Sequence, residues 1–457
     1  MKLPVLAFLI FMWASQVFCA VLQNDSELIE HARMERFISS QTLIVKIKSD
    51  SNFLEHLGEF KTFFSTRSGE WGYLTLNMIP DGENAEAILG DLSKMPDIIH
   101  AYFAPLPKNT DFLADLKNPF NEAILVLTED SKKETPPFAS KQTYLLDAPR
   151  GIGAKSAWNI PGGSGKNVKI IDVETCFNQK HENFDQAFYI GENPICEKSN
   201  HGTAVWGILA AKDNNKGVVG IAHDASFGFH GFIEGTYEES SVTYEHGINY
   251  AIQGAIENLH EGDILLIEQQ MVGPDYKRLT VVEYWPHIYE QLKEATQRGI
   301  HCIEAAGNHR SNLDSTSYDR AFDVTKRDSG CVIVGAVKND DKREKWHYSN
   351  FGSRIDAAGY GENVVTTGYG DLFDGGADRK YTAVFAGTSS AAPMVAGAIA
   401  LVSSIAKEQG ILLSPKEMRK ALRETGSPQG PRTAIERVGN LPDVIALVKW
   451  FKLLQNE

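Results

Sequence analysis

Two adjacent serines, Ser389 and Ser390, lie at the start of an apolar stretch, FAGTSSAAPMVAGAIAL at 385–401. The second half of this stretch is apolar on every side and predicts a buried helix, with the hydroxyl residues at its N-terminus. Serines at that position often cap free backbone N–H groups. They can also act as nucleophiles, because the positive end of a helix stabilises developing negative charge. Serine chemistry needs a base and an orienting acid from elsewhere in the chain.

Candidates for these partners begin or end apolar runs. His201 opens HGTAVWGILAA, and a histidine at the mouth of a buried helix is held rigidly enough to act as a general base. Asp172 ends VKIID, and Asn308 ends IHCIEAAGN, where an amide is suited to donate to an oxyanion. Taken singly, each has an ordinary interpretation as a structural histidine, a turn residue or a cap.

The chain order Asp, His, Asn, Ser, in the motifs IIDVE, HGTAV, AAGN and AGTSSAAP, closely resembles the subtilisin-like serine proteases of peptidase family S8. The resemblance implies an endopeptidase in which Ser389 attacks the scissile carbonyl, His201 moves the proton and Asp172 orients the imidazolium. It also implies that Asn308 and the Ser389 backbone N–H bind the oxyanion. Ser390 is then only a neighbour, because the family's reactive serine directly follows Gly-Thr.

Two departures from the family pattern concern this site. The family follows its acid with a hydroxyl residue and glycine, whereas Val173 and Glu174 follow Asp172, so a hydrogen bond to the carboxylate is expected to be lost. The segment QMVG aligns with the strand that lines the family's substrate cleft and implies four substrate-binding residues, Gln270, Met271, Val272 and Gly273. Val272 replaces a glycine of the pocket wall, which predicts a reshaped pocket. A plain strand end is the alternative for this segment.

The elements that must position these residues are apolar, strand-like runs separated by helical segments: VKIID, DILLIE, IHCIEAAG and CVIVGAV. Such runs predict a parallel sheet with helices on both faces, an α/β fold of the subtilisin type over residues 141–457. Open parallel sheets bind ligands at the carboxyl ends of their strands. Asp172 and Asn308 fall at such ends.

Three segments precede this domain. In residues 1–20, Lys2 is followed by an apolar run and then by small residues, an order that is typical of a secretory signal peptide. Residues 21–107 predict a small α+β, ferredoxin-like domain that resembles the family's propeptide, and residues 108–140 predict a linker. We therefore expect a secreted or periplasmic protein made as a zymogen, with its own propeptide as a partner.

Within the propeptide-like domain, TLIVKIK, GYLTLNM and IIHAYFA predict strands. Two helical stripes lie between them, formed by Phe53, Leu57, Phe60 and Phe64 and by Ile88, Leu89, Leu92 and Met95. The order of these patterns predicts the β-α-β-β-α-β arrangement.

Composition limits the partners. The formal net charge of −14 argues against nucleic-acid binding, because phosphate contacts need clustered Lys and Arg. Beyond the signal-like segment no apolar run approaches the roughly eighteen residues of a membrane span, so a membrane span is not expected. The resemblance to the subtilisin-like proteases implies protein or peptide substrates. Because zinc-type CxxC spacing and a tight acidic calcium loop are missing from the sequence, we expect no cofactor or metal.

The chain has five cysteines, of which Cys19 lies near the predicted signal cleavage point. An even number then remains, which in an oxidising compartment suggests two disulfides with three possible connectivities. The favoured pairs are Cys176 with Cys196 and Cys302 with Cys331.

Two alternatives to the subtilisin-like interpretation are open. The sedolisin type shares a GTS-like serine motif but uses Glu and Asp instead of histidine, and His201 in HGT argues against it. A catalytically silent scaffold on the same fold is made conceivable by the altered loop after Asp172. The joint presence of Ser389, His201 and Asn308 argues against a silent scaffold.

Overall fold

The computed structural model describes residues 41–48, 63–68, 71–76, 98–105, 134–191, 200–232, 247–274, 278–431 and 435–454. The chain divides into two compact units, one holding the four N-terminal strands and the other holding all later elements.

The strands are β1 (Gln41–Lys48), β2 (Phe63–Ser68), β3 (Trp71–Leu76), β4 (Ile98–Pro105), β5 (Lys169–Glu174), β6 (Tyr189–Ile190), β7 (Ser226–Gly231), β8 (Ile264–Ile267), β9 (Gln270–Val272), β10 (Leu279–Val281), β11 (His301–Ala305), β12 (Val332–Val337), β13 (Ala357–Tyr360), β14 (Val364–Thr367), β15 (Phe373–Asp374) and β16 (Lys380–Phe385). The α-helices are α1 (Ala154–Ala157), α2 (Asn200–Ala210), α3 (Ile248–Asn258), α4 (Pro286–Gln297), α5 (Thr388–Glu408), α6 (Pro415–Glu424) and α7 (Val444–Trp450).

The N-terminal unit is an antiparallel sheet of strand order β2-β3-β1-β4. The three predicted strands are present as β1, β3 and β4. The predicted helical stripe is wrong at Phe64, which lies in β2 and pairs with Leu74 of β3. Phenylalanine suits strands as well as helices, and pairing with a neighbouring strand decides between them. The rest of that stripe and the second stripe lie outside the described residues, and the segment boundaries stay predictions.

A seven-stranded parallel sheet forms the second unit, in the order β13-β12-β11-β8-β5-β7-β6. The four apolar runs of the sequence are β12, β11, β8 and β5, which are consecutive neighbours in this sheet. Nearly all their residues are buried, as expected for strands covered on both faces. The predicted fold class is confirmed.

The central helix α5 packs against β13, β12, β11, β8 and α2. It is buried from Thr388 to Ala406, which confirms the predicted buried helix. Gly397 allows the close packing, because a Cβ there would come within 2.6 Å of Ile221 Cγ2. Among the described elements α5 alone has the length and hydropathy of a membrane span, and it is enclosed by protein.

The sequence also predicts a capped helix starting at Ser414-Pro415, and α6 confirms it. The Ser414 hydroxyl accepts from the Glu417 backbone N–H at 3.2 Å and donates to the Glu417 carboxylate at 2.8 Å. Gly426 follows the helix end with a φ of 85°, the left-handed conformation that favours glycine.

The cysteine predictions have separate outcomes. Cys176 is disulfide-bonded, while Cys196, its predicted partner, lies outside the described residues. The predicted Cys302–Cys331 disulfide is wrong, because both are buried free thiols. The β11–β12 register, Ile303 opposite Val332, sets the two cysteines side by side on neighbouring strands. Side chains that face each other across neighbouring strands point the same way, so their Cβ atoms stay about 4.8 Å apart, wider than the roughly 3.8 Å between the Cβ atoms of a disulfide.

Candidate active site

The two serines of α5 have different surroundings. Ser390 donates its hydroxyl hydrogen to the Tyr360 carbonyl at 2.6 Å and lies 2.9 Å from the Gly387 carbonyl. Ser389 is buried in the first turn of the helix, at the positive end of the helix dipole. The hydroxyl of Ser390 therefore holds the helix start, and Ser389 is the serine suited to react.

The helix start has a backbone that only glycine adopts readily. Gly387 has a φ of 103°, and a Cβ added there would lie 3.1 Å from the side-chain nitrogen of Asn308. This position thus combines a left-handed backbone with a close approach to the Asn308 amide. Glycine brings the strand-end amide and the helix start together.

His201 is held by Glu174 and not by the predicted Asp172. The imidazole is buried as the second residue of α2, and its Nδ1 donates a hydrogen bond to Glu174 Oε2. Asp172 is fully buried, and neither of its carboxylate oxygens has a hydrogen-bond partner within the described part of the chain. The expectation that Asp172 orients the histidine is therefore corrected.

Strand geometry explains this correction. Asp172 and Glu174 share a face of β5 because side chains alternate along a strand, and they are about 6.6 Å apart along it. Glu174 is the last residue of β5. Because Glu174 lies at the carboxyl end of the strand and has the longer side chain, its carboxylate reaches His201. Asp172 lies two residues earlier in β5 and does not contact the imidazole through a hydrogen bond.

Thr175 supplies the hydroxyl that was expected to be missing after the acid. Its backbone N–H and its hydroxyl both donate to Glu174 Oε1, at 2.6 and 3.0 Å, and the Gln269 amide donates to the same oxygen at 3.0 Å. The family pattern of an acid followed by a hydroxyl residue is therefore met by Glu174-Thr175. That pair was the signal in the sequence that identifies the acid.

The pKa of Glu174 is lower than that of an ordinary glutamate. Burial raises it, but the charge of His201 and hydrogen bonds from His201 and Thr175 outweigh burial. Since the folded-state pKa is depressed, this group adds stability above its unfolded value, and the stability is lost as pH falls through the folded pKa. Glu174 is accordingly ionised at neutral pH.

Asn308 has a free donor beside the helix start. Its Oδ1 accepts from the backbone N–H and from the hydroxyl of Thr388, both at 2.9 Å. Its Nδ2 is buried and has no hydrogen-bond partner among the residues that the structure describes. A fixed amide with an unused donor is the arrangement needed to bind a developing oxyanion.

The predicted substrate-binding residues form β9 and the turn after it. β9 pairs with β10 through one edge, and the Gly273 N–H donates to the Arg278 carbonyl at 2.7 Å on that side. On its other edge the Val272 carbonyl accepts from Trp285 Nε1 at 3.0 Å. The Gln270 side chain accepts from the Asn308 backbone N–H at 3.0 Å, so β9 is tied directly to the Asn308 amide.

These groups converge on one edge of the sheet. Glu174 and Asn308 follow or end β5 and β11, while His201 and Ser389 begin α2 and α5, which pack against each other. A buried serine, a histidine with a carboxylate on its Nδ1 and a free amide donor are the parts of a serine hydrolase site.

Comparison with known proteins agrees with this class. The family model of the subtilase family, Peptidase_S8, matches residues 164–440. The chain is 30% identical to the major intracellular serine protease of Bacillus subtilis (strain 168) over 56% of this chain and 74% of that protein. It is 28% identical to subtilisin NAT of Bacillus subtilis subsp. natto, over 57% of this chain and 62% of that protein.

A solved structure shares the fold. The epidermin leader peptide processing serine protease (EpiP) of Staphylococcus aureus aligns with a TM-score of 0.60 at 16% identity, over 92% of this chain and 100% of that one. The chain belongs to the subtilase family, whose model spans more than half of it. It is a subtilisin-like serine peptidase, a hydrolase of peptide bonds.

Proposed function

We propose that the peptidase works through a triad of Ser389, His201 and Glu174. Ser389 Oγ bonds to the scissile carbonyl carbon and gives its proton to His201. The C–N bond then breaks, and the imidazolium protonates the departing amine; water repeats the sequence on the acyl-enzyme. The observation that carries this assignment is the hydrogen bond from His201 Nδ1 to Glu174.

Glu174 has two tasks in this mechanism. Its Oε2 holds the imidazole in the tautomer whose other nitrogen accepts the serine proton. Its charge stabilises the imidazolium that forms during each half-reaction. Three donors on Oε1, from Thr175 and Gln269, fix the carboxylate in place, which is the preorganisation that such a role needs.

The oxyanion is bound by Asn308 Nδ2 and the Ser389 backbone N–H. The free amide donor beside Gly387 and the position of Ser389 in the first turn of α5, at the positive end of the helix dipole, support this role. Both donors are fixed before the reaction, so they stabilise the tetrahedral intermediate without reorganising.

Replacing Asn308 with aspartate is expected to lower kcat by about 10²–10³, with KM little changed, because the donor is lost while both Thr388 hydrogen bonds keep their acceptor. Steady-state hydrolysis of a peptide anilide measures this. Thr388→Val is the matched control, since it removes one bond to Asn308 Oδ1 and leaves Nδ2 untouched. An Asn308→Asp enzyme with unchanged kcat would exclude the amide from the oxyanion site.

We further propose a secreted or periplasmic endopeptidase made as a zymogen, acting on protein and peptide substrates. The signal-like segment 1–20 supports export, and the separate four-stranded unit supports a propeptide that binds the site before removal. Gln270, Met271, Val272 and Gly273 are proposed to line the cleft, with substrate lying along the β9 edge opposite β10. On that edge the Val272 carbonyl already accepts a hydrogen bond from Trp285, so fewer backbone groups of β9 are left to pair with substrate.

The test uses the chain without residues 1–20. We expect its intact mass to fall through cleavage in the region of residues 105–145, together with hydrolysis of casein and labelling of Ser389 by a fluorophosphonate probe. Labelling and casein hydrolysis without a change of mass would exclude self-processing. No labelling and no hydrolysis, even after the linker is trimmed, would favour the silent scaffold.

A further inference from the structure

Two further carboxylic acids are buried beside Glu174. Asp172 shares its strand and face, and Glu268 directly follows β8, the neighbouring strand. The parallel register Val173 to Ile267 brings Glu268 alongside Glu174. Asp172 and Glu268 are both fully buried, and neither has a hydrogen bond of ordinary geometry within the described ranges. The three carboxyl groups form what we call the carboxyl cluster.

The carboxyl cluster adjoins the reacting serine. The Ser389 hydroxyl is close enough to Glu268 to favour the charged form of its carboxyl, but burial and the charges of Asp172 and Glu174 outweigh this, so the pKa of Glu268 lies well above the ordinary value. Burial and then Glu174 raise the pKa of Asp172, and His201 opposes them. The titratable groups facing Glu268 are thus two acids, with one imidazole beside them.

One cation cannot balance three buried anions. His201 is already paired with Glu174, and a buried carboxylate without a partner is costly. Glu268 and Asp172 therefore avoid this cost by keeping their protons. A neutral glutamic acid also has an O–H group, which can donate to an oxygen such as Ser389 Oγ.

We propose that Glu268 is a positioning residue of the peptidase site, that it must hold its proton for Ser389 to react, and that its ionisation switches the site off as pH rises. This inference rests on the proposed triad. An ionised Glu268 beside Ser389 adds negative charge where the tetrahedral oxyanion develops, and opposes the stabilisation supplied by Asn308. Because burial raises the pKa of this acid, activity is present below that pKa and lost above it.

The pH profile of kcat/KM tests the proposal. The unmodified enzyme is expected to lose about tenfold per pH unit on the alkaline side, and Glu268→Gln, which stays neutral, is expected to remove that loss or shift it upward by more than about one pH unit. Glu304→Gln is the matched control: this acid is fully buried on β11, but its neighbours are Glu283, Cys331 and Arg354. Its profile should match that of the unmodified enzyme.

Infrared spectroscopy supplies a readout that does not need activity. In the Ser389→Ala background we expect protonated carboxyl absorption from several buried acids at neutral pH, and Glu268→Gln is expected to remove the one band that belongs to Glu268. Absence of that band, or identical pH profiles for the unmodified enzyme and Glu268→Gln, would overturn the proposal. If no variant reacts with substrate or probe at any pH, the triad fails as a proposal, and the infrared band still decides whether Glu268 holds its proton.

Discussion

Ser389→Ala is expected to abolish peptide hydrolysis, with a fall in kcat of about 10⁶, the size of loss found for the nucleophile in subtilisin. The hydroxyl supplies the atom that bonds to substrate, so nothing else in the site replaces it. The alanine side chain fits the same buried space at the start of α5. Hydrolysis of casein and of a peptide anilide measures the loss, and thermal unfolding checks that the fold is kept.

Ser390→Ala is the matched control, one residue along the same helix turn. The Ser390 hydroxyl donates a hydrogen bond to the Tyr360 carbonyl. Because its removal leaves this buried carbonyl without that bond, the free energy of unfolding is expected to fall by about 1 kcal/mol. Activity should stay within a factor of a few of the parent. Equal losses in the two variants would mean that damage to the helix start, and not loss of a nucleophile, stops hydrolysis.

Glu174→Gln is expected to lower kcat by about 10⁴, because a neutral amide no longer stabilises the imidazolium and can hold His201 in the wrong tautomer. Asp172→Asn, on the same face of the same strand, should retain activity within about tenfold, since Asp172 makes no hydrogen bond to His201. Single-turnover acylation with a chromogenic ester measures both variants. Glu174→Asp adds a length test: the charge stays, but the shorter side chain reaches less far toward His201.

The reverse outcome, in which Asp172→Asn is inactive and Glu174→Gln is active, would restore the assignment made from the motif alone. The two variants together identify the acid of the site. They decide whether this subtilase keeps an aspartate with a displaced loop or uses a glutamate two residues further along β5.

Local sequence predicted most of the fold and three of the four residues of the proposed catalytic site. Short, near-continuous apolar runs favour buried parallel strands, and those runs are the neighbouring strands β12, β11, β8 and β5. Ser389, His201 and Asn308 were identifiable because each stands beside small residues at the boundary of an apolar element. Such boundaries are set by neighbours in the chain, which a sequence displays directly.

Three features depended on tertiary contacts: which acid pairs with His201, whether Cys302 and Cys331 form a disulfide, and the existence of β2. Period-two alternation sets Asp172 and Glu174 on one face, but which carboxylate meets His201 depends on where α2 packs against the end of β5. Strand pairing likewise decides that Cys302 and Cys331 lie side by side without a bond and that Phe64 joins a sheet. Chemical type and spacing along the chain are local properties, whereas the partner of a side chain is a distance between segments remote in sequence, and only packing determines it.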